Sequence, residues 1–116
     1  MSLAGDRAAL AQALDAVPDI TGYDDVSPML NVGDAWVRWA GYDAAGPTML
    51  FTATWKIFVV TGAEPGSAMQ FLDMHLMPIL DAVGWHAYTT GVRPVEFQTA
   101  NAGVLYGAEI TAEKES

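Results

Sequence analysis

Two histidines, His75 and His86, are the only imidazoles in the chain, and Asp73 and Asp81 lie close to them in sequence. A metal centre or an acid–base pair would have to be built from this group. Ligands on one helix must stand three or four residues apart to share a face, and His75 and Asp73 stand two apart. No HxxxH or HxxE spacing occurs. The residues read instead as a partly exposed helix histidine and a strand histidine. Nucleophilic chemistry would draw on Ser2, Ser27, Ser67 or Ser116, yet none sits in a GxSxG turn. Ser67 follows Gly66 at a predicted helix start, where a hydroxyl ordinarily serves the first turn. The glycines form neither GxGxxG nor GxxxxGK, so a phosphate cradle has no basis. Asp19, Asp24, Asp25 and Asp34 could hold a divalent cation loosely, and a solvated acidic loop is the simpler reading. Catalytic, cofactor-binding and metal-ligating residues are therefore all expected to be none.

Aromatic residues offer a different chemistry, that of contact. The chain has four tryptophans, four tyrosines and four phenylalanines. Trp36 and Trp39 flank Arg38, a combination that stacks ligands but more often fills cores and interface centres. A pocket lined by Trp55, Trp85, His86 and Tyr88 is the competing, ligand-binding reading. On an extended strand Trp36 and Trp39 point to opposite faces, so one is expected in the core and the other at an interface.

Several elements must position these residues. Residues 3 to 16 carry Leu3, Leu10, Leu14 and Val17 at helical spacing, with Ser2 as cap and Pro18 as stop. Ile20 to Tyr23 is a short strand candidate, and Asn31-Val32-Gly33-Asp34 a strong turn signal. Ala35 to Tyr42 and Thr48 to Thr61 read as a long β-hairpin turning through Asp43 to Pro47. Pro65 suits the first turn of a helix whose apolar stripe runs from Ala68 to Val83 and stops at Gly84, with a kink or break near Met74 to His75 caused by Pro78. Trp85 to Gly91, Val92 to Thr99 and Val104 to Thr111 read as three further strands, the last two forming a hairpin. Residues 112–116 read as a flexible charged tail.

Between Leu50 and Val60 the hairpin's second strand alternates Phe51, Ala53, Trp55, Ile57 and Val59 with Leu50, Thr52, Thr54, Lys56, Phe58 and Val60. Both faces are largely apolar, so cover is expected on both, from the domain itself or from a neighbouring subunit. Fourteen extended residues span roughly 46 Å against about 35 Å for a globule of this size. The hairpin either projects or begins nearer Leu50 and curls with the sheet. Val37, Trp39, Leu50, Phe58 and Val60 are the candidate subunit-interface residues.

Composition sets the outer bounds. At 116 residues the chain is one domain, able to bury roughly 65% of its unfolded surface, with an expected radius of gyration of about 13 Å. The expected fold is α+β: a mixed or antiparallel sheet of about four to six strands, packed by an N-terminal helix and one central helix. The longest uncharged stretch before Lys56 falls short of the ~20 residues a membrane span needs. Asp6 and Arg7 stand where a signal peptide needs an apolar core, so a cytoplasmic life is expected. Without cysteine there are no disulfides or thiolate sites. Fourteen acidic against five basic residues give a formal charge of −9. The scattered bases give nucleic acid no basic face to engage. Only 16% of residues are charged, which is lean for a monomer's surface and points to an oligomer.

The order of segments carries a resemblance. SLAGDRAALAQALDAVPDITGY, then NVGDAW leading into an aromatic strand, TATWKIFVVTG, PGSAMQFLDMHLMPILDAVG and a closing LYGAEIT together resemble the small tail terminator proteins of long non-contractile-tailed phages, especially those infecting actinobacteria. The resemblance covers nearly the whole chain and rests on pattern without a signature motif. It implies an α+β subunit that forms a ring, typically hexameric, on the tail tube at the head-proximal end of the virion tail, after assembly in the host cytoplasm. The ring stops tube polymerisation and offers the surface to which the head–tail connector binds. Implied partners are other copies of the chain, the tail tube protein and the connector, with no membrane and no sequence-specific nucleic acid. The implied chemistry is structural, with no enzymatic activity and no cofactor beyond non-specific help from divalent cations during assembly. Another neck or head-closure protein is the alternative of the same class, and a small ligand-binding α+β domain the alternative of a different one.

Overall fold

The computed structural model describes residues 2–26, 30–44, 51–100 and 103–115. Helix α1 (Leu3–Asp15) opens as the sequence predicts, with the Ser2 hydroxyl accepting from the Gly5 N–H at 2.9 Å. A side-chain acceptor there satisfies one of the N–H groups a helix start leaves open. Leu10, Ala11 and Leu14 form its buried stripe. Asp19, at φ 68°, turns the chain into β1 (Thr21–Tyr23).

β1 lies parallel to β2 (Asp34–Ala44), and the Asn31 to Asp34 turn fixes that register. Gly33 sits at φ 92°, its N–H donates to the Val60 carbonyl at 2.8 Å, and its carbonyl accepts from Thr21 N–H at 2.9 Å. A side chain at Gly33 would meet the Asp19 carbonyl, so only glycine serves. Asp34 is buried and accepts from the Asn31 N–H at 2.9 Å, so it is committed to the turn.

β2 pairs antiparallel with β3 (Phe51–Gly62) through a bulge between Trp39 and Gly41, where Gly41 takes φ 133°. Helix α2 (Pro65–Gly84) follows, and then β4 (Tyr88–Thr99) and β5 (Gly103–Glu115). The five strands lie in the order β1-β2-β3-β5-β4, so β5 inserts between β3 and β4. β3, α2 and β4 thus make a split β-α-β crossover over an intervening antiparallel strand. The fold is α+β, as expected from the sequence.

Both helices pack on one face of the sheet. There Ala53, Trp55, Ile57 and Val59 of β3 meet Leu10 and Leu14 of α1 and Ile79 and Val83 of α2. The other face, the sheet back, has its own smaller cluster of Trp36, Val60 and Leu105, with Leu30, Phe58 and Phe97 packed against it. Trp36 stacks on Phe58 with ring centroids 5.5 Å apart and meets Phe97 at 5.2 Å. The second face of β3 is therefore covered from within the chain over one half. Over the other half it is polar: Lys56 bridges to Glu109 at 2.9 Å and donates to the Thr111 hydroxyl at 2.9 Å.

Three elements differ from the sequence reading. α2 runs unbroken through Pro78, because the proline lies on the exposed side and costs one hydrogen bond that the helix's packed face outweighs. Trp85 to Gly91 and Val92 to Thr99 are not two strands: β4 is one strand whose Gly91 sits at a bulge, a role a glycine shares with turns. Residues 112–115 are not a tail but the end of β5, with Glu115 opposite Thr52, Ala112 fully buried, and Lys114 bridged to Asp6 at 2.8 Å. Of the two readings of the hairpin, its described part follows the one that stays with the sheet, because β5 accompanies β3 as far as Thr52. Residues 48–50, expected at the start of that strand, lie outside the described residues. The long strands make the molecule elongated, 46 × 27 × 21 Å with a radius of gyration of 14.4 Å.

Candidate functional site

The chemistry-bearing residues stay apart. His75 packs on Phe71 with tilted rings whose centroids are 4.2 Å apart, and its Nε2 lies 3.9 Å from Asp19 Oδ2. His86 is in the turn after α2, not in a strand, because β4 begins only at Tyr88. The Ser67 hydroxyl donates to the Glu64 carbonyl at 3.0 Å, the first-turn role expected of it. Asp25 accepts from its neighbour Val26. Among the described residues, no three His, Cys, Asp or Glu side chains gather as a metal site would require.

Nor do the four residues of the ligand-pocket reading converge. Trp85, His86 and Tyr88 line an open hollow beside Glu113 to Glu115, whereas Trp55 is 1% exposed and belongs to the main core. Its indole N–H has no hydrogen-bond partner among the described residues. A better-formed concavity, which the sequence did not announce, lies between the first half of α2 and β4. This groove, about 520 Å³, is lined by Pro65, Met69, Leu72, Pro94, Val95 and Tyr106, among others, and is mostly apolar.

What the structure does bring together is contact surface. Along α2 the residues Met69, Asp73, Met77, Asp81 and Trp85 follow one another at four-residue intervals, which on a helix makes a single ridge. The ridge points to solvent: Met69 is 70% exposed, Met77 64% and Trp85 87%, with Met74 beside them at 72%. Sequence periodicity identified the opposite, buried stripe of this helix and said nothing of this one. The signal was present as methionines at positions the stripe did not need.

A second surface forms at the far end of the hairpin. The bulge at Ala40 adds one residue to β2, so Trp39 and Tyr42 come to the same helix-side face, 5.6 Å apart, and Tyr42 packs on Phe51 at 5.9 Å. All three rings are nearly half exposed. Trp39 shares a shallow hollow with Leu3, Ala4 and Arg7 at the N-terminal end of α1.

The third surface is the polar half of the sheet back. Register places Arg38 opposite Lys56, Lys56 opposite Thr111, and Arg93 opposite Glu109, all on this face. Three of the five basic residues thus share this face with four acidic ones, Asp43, Glu109, Glu113 and Glu115, which the same register places there. Among the described residues Lys56 is paired with Glu109, and Arg38 and Arg93 have no ion-pair partner.

Of the five interface candidates, Trp39 is at the surface and Phe58 is half-buried in the Trp36 cluster. Val37 and Val60 are buried inside the subunit, at 2% and 0% exposure, because both faces of the sheet have cover at their level. Leu50 lies outside the described residues. Of the two strand tryptophans, Trp36 is the core residue and Trp39 the exposed one, as their alternation predicts.

No family model matches the chain, and no curated protein matches its sequence. The resemblance to tail terminators therefore stands on the residue pattern alone. Among the described residues no helix is long and apolar enough to cross a membrane.

Proposed function

We propose that the chain is a self-assembling structural subunit, a tail-terminator-like protein whose ring caps a phage tail tube, stops its polymerisation and presents a surface to the head connector. The observation that carries the self-assembly half is the exposed ridge of α2. Met69, Met74, Met77 and Trp85 stand bare along it, interspersed with Asp73 and Asp81, and exposed apolar side chains rimmed by polar ones mark a protein contact. The exposed aromatic triad at the hairpin end supports the same reading. The tail-specific half rests on the order of sequence segments. A neck or head-closure role would use the same surfaces, and capping of polymerising tube protein separates the two.

The test is mass in solution by light scattering, followed by tube capping. A species near six times the chain's 12.4 kDa, together with arrest of tube growth in vitro, is the expected outcome. A ring that leaves tube growth unaffected transfers the chain to another neck position. The groove beside α2 supports one further reading, a small apolar ligand-binding domain. A monomer whose melting temperature rises with an apolar ligand would favour it.

A further inference from the structure

We infer that copies of the chain join edge to edge: the later part of β4 in one copy pairs antiparallel with residues 37–44 of β2 in the next, carrying that copy's Tyr42 onto the apolar groove beside α2. This rests on the self-assembly half of the proposed function and names its two surfaces and its partner, a second copy of this chain.

The sheet ends in two bare edges. β4 is the outer strand on one side and pairs only with β5. On the other side β1 is three residues long and covers β2 only from Asp34 to Trp36, so residues 37–44 have no outer neighbour among the described residues. Such edges leave rows of backbone N–H and C=O groups that another strand satisfies. Strand direction decides which edges can meet. β2 runs antiparallel to β3, β3 to β5 and β5 to β4, so β4 points opposite to β2. Two copies that turn their helices to the same side therefore set β4 beside β2 with antiparallel pairing.

Faces and charges choose the register. Tyr42 and Pro94 belong to the helix side, Asp43 and Arg93 to the sheet back. Matching the faces allows registers that differ by two residues, and one of them sets Asp43 opposite Arg93 and Tyr42 opposite Pro94. Continued through the Trp39/Gly41 bulge, this register puts Trp39 opposite Glu96 and Arg38 opposite Phe97. The paired segments hold four charged side chains, Arg38, Asp43, Arg93 and Glu96, all exposed and without an ion-pair partner among the described residues. Each gains a fitting neighbour: Asp43 and Arg93 gain one another, Arg38 an aromatic ring, and Glu96 the Arg7 that shares Trp39's hollow. Arg93 then stands between a carboxylate of the next copy and its own Glu109, which Lys56 already holds. The register also runs out where it must, because β4 ends at Thr99 opposite Trp36, where β1 takes over. Pro94 withholds one N–H from the new ladder, as prolines on edge strands do. Its ring, with Met69 and Leu72 of the groove, receives Tyr42 instead. Met69 also opens the α2 ridge, so the contact covers the start of that ridge.

The two edges differ, so the contact is heterologous and each added copy leaves one edge free for the next. Rings or filaments result according to the rotation per step.

A charge exchange tests this. Arg93→Asp sets two carboxylates against each other between copies, and Asp43→Arg sets two guanidinium groups against each other; the double variant Asp43→Arg/Arg93→Asp restores an opposite pair. Circular dichroism and thermal melting verify that each is folded. Light scattering is expected to show association weakened by about tenfold or more in each single variant. In the double variant it is expected to return to within about threefold of the wild type. Single variants that associate like the wild type overturn the edge contact, and self-assembly then survives through other surfaces. A double variant as weak as the single ones overturns the pairing of these two residues and the contact with it. A wild type that stays monomeric at every salt concentration overturns self-assembly itself. If a charge-reversed variant melts early, Asp43→Asn and Arg93→Gln carry the same test: losses that fail to add in their double variant support the contact, and losses that add overturn it.

Discussion

Phe58 shows how a residue's role changes once its neighbours are known. Its place on the second face of β3 marked it for a subunit contact, and on that reading Phe58→Asp should give a soluble monomer. In the structure Phe58 stacks on Trp36 and meets the Phe97 ring edge-on at 6.2 Å. A carboxylate there would be desolvated within the back cluster, so the substitution is expected to cost about 2–3 kcal/mol of stability, read as a lower urea midpoint. Trp39→Asp, at an exposed position, is expected to change stability by no more than about 0.5 kcal/mol and to act on association alone. Gly107 belongs to the same cluster. The Phe97 ring lies over it, and a methyl at Gly107 would run into both that ring and the Val59 carbonyl. Gly107→Ala is expected to cost about 1–3 kcal/mol by overpacking, and thermal unfolding would register it.

Among the elements, α2 and β5 correct the sequence reading in instructive ways. Pro78 reads locally as a helix break, but Phe71 before it and Ile79 and Val83 after it hold both halves of α2 to one core. Restoring the missing N–H with Pro78→Ala is expected to add about 1–2 kcal/mol, less than a full interior proline penalty because the unfolded chain also gains freedom. The charged end of β5 looked like a tail because Glu113, Lys114 and Glu115 have no apolar pattern of their own. Its order comes from pairing with Thr52 to Thr54, sixty residues away in sequence, and from the Asp6 bridge, which no local signal can show. Removing residues 112–116 is expected to lower the melting temperature substantially, since it exposes the β3 edge and deletes buried Ala112. Lys114→Ala alone should cost no more than about 1 kcal/mol. By contrast α1, the Asn31 to Asp34 turn and the alternation of β3 were legible, because caps, a positive-φ glycine and a two-residue period are local facts.

At the scale of the whole molecule, charge and surface set the behaviour. Six copies would bring together 6 × −9 = −54 formal charges, so long-range repulsion opposes association beyond the contact itself. Added salt or Mg²⁺ is expected to shift light-scattering mass upward, since screening acts on distant charges more than on pairs in contact. Dissociation on raising salt would place the energetics of association in the ion pairs instead. The contact surfaces were only partly readable beforehand. Trp39 was named from alternation, but the ridge depends on which side of α2 the sheet occupies, and the charged sheet back depends on a strand order that puts β2, β3, β5 and β4 side by side.

That strand order also bears on when the protein exists. β5 follows every other described element in the chain, yet it lies between β3 and β4, with Thr52 facing Glu115. During synthesis at ~5–20 residues per second, β3 and β4 have no common partner until the chain has been made through residue 115. Pairings of such long sequence separation form slowly, on a scale of milliseconds to seconds. The sheet back that brings Arg38, Lys56 and Arg93 together across four strands is therefore incomplete until β5 has been made.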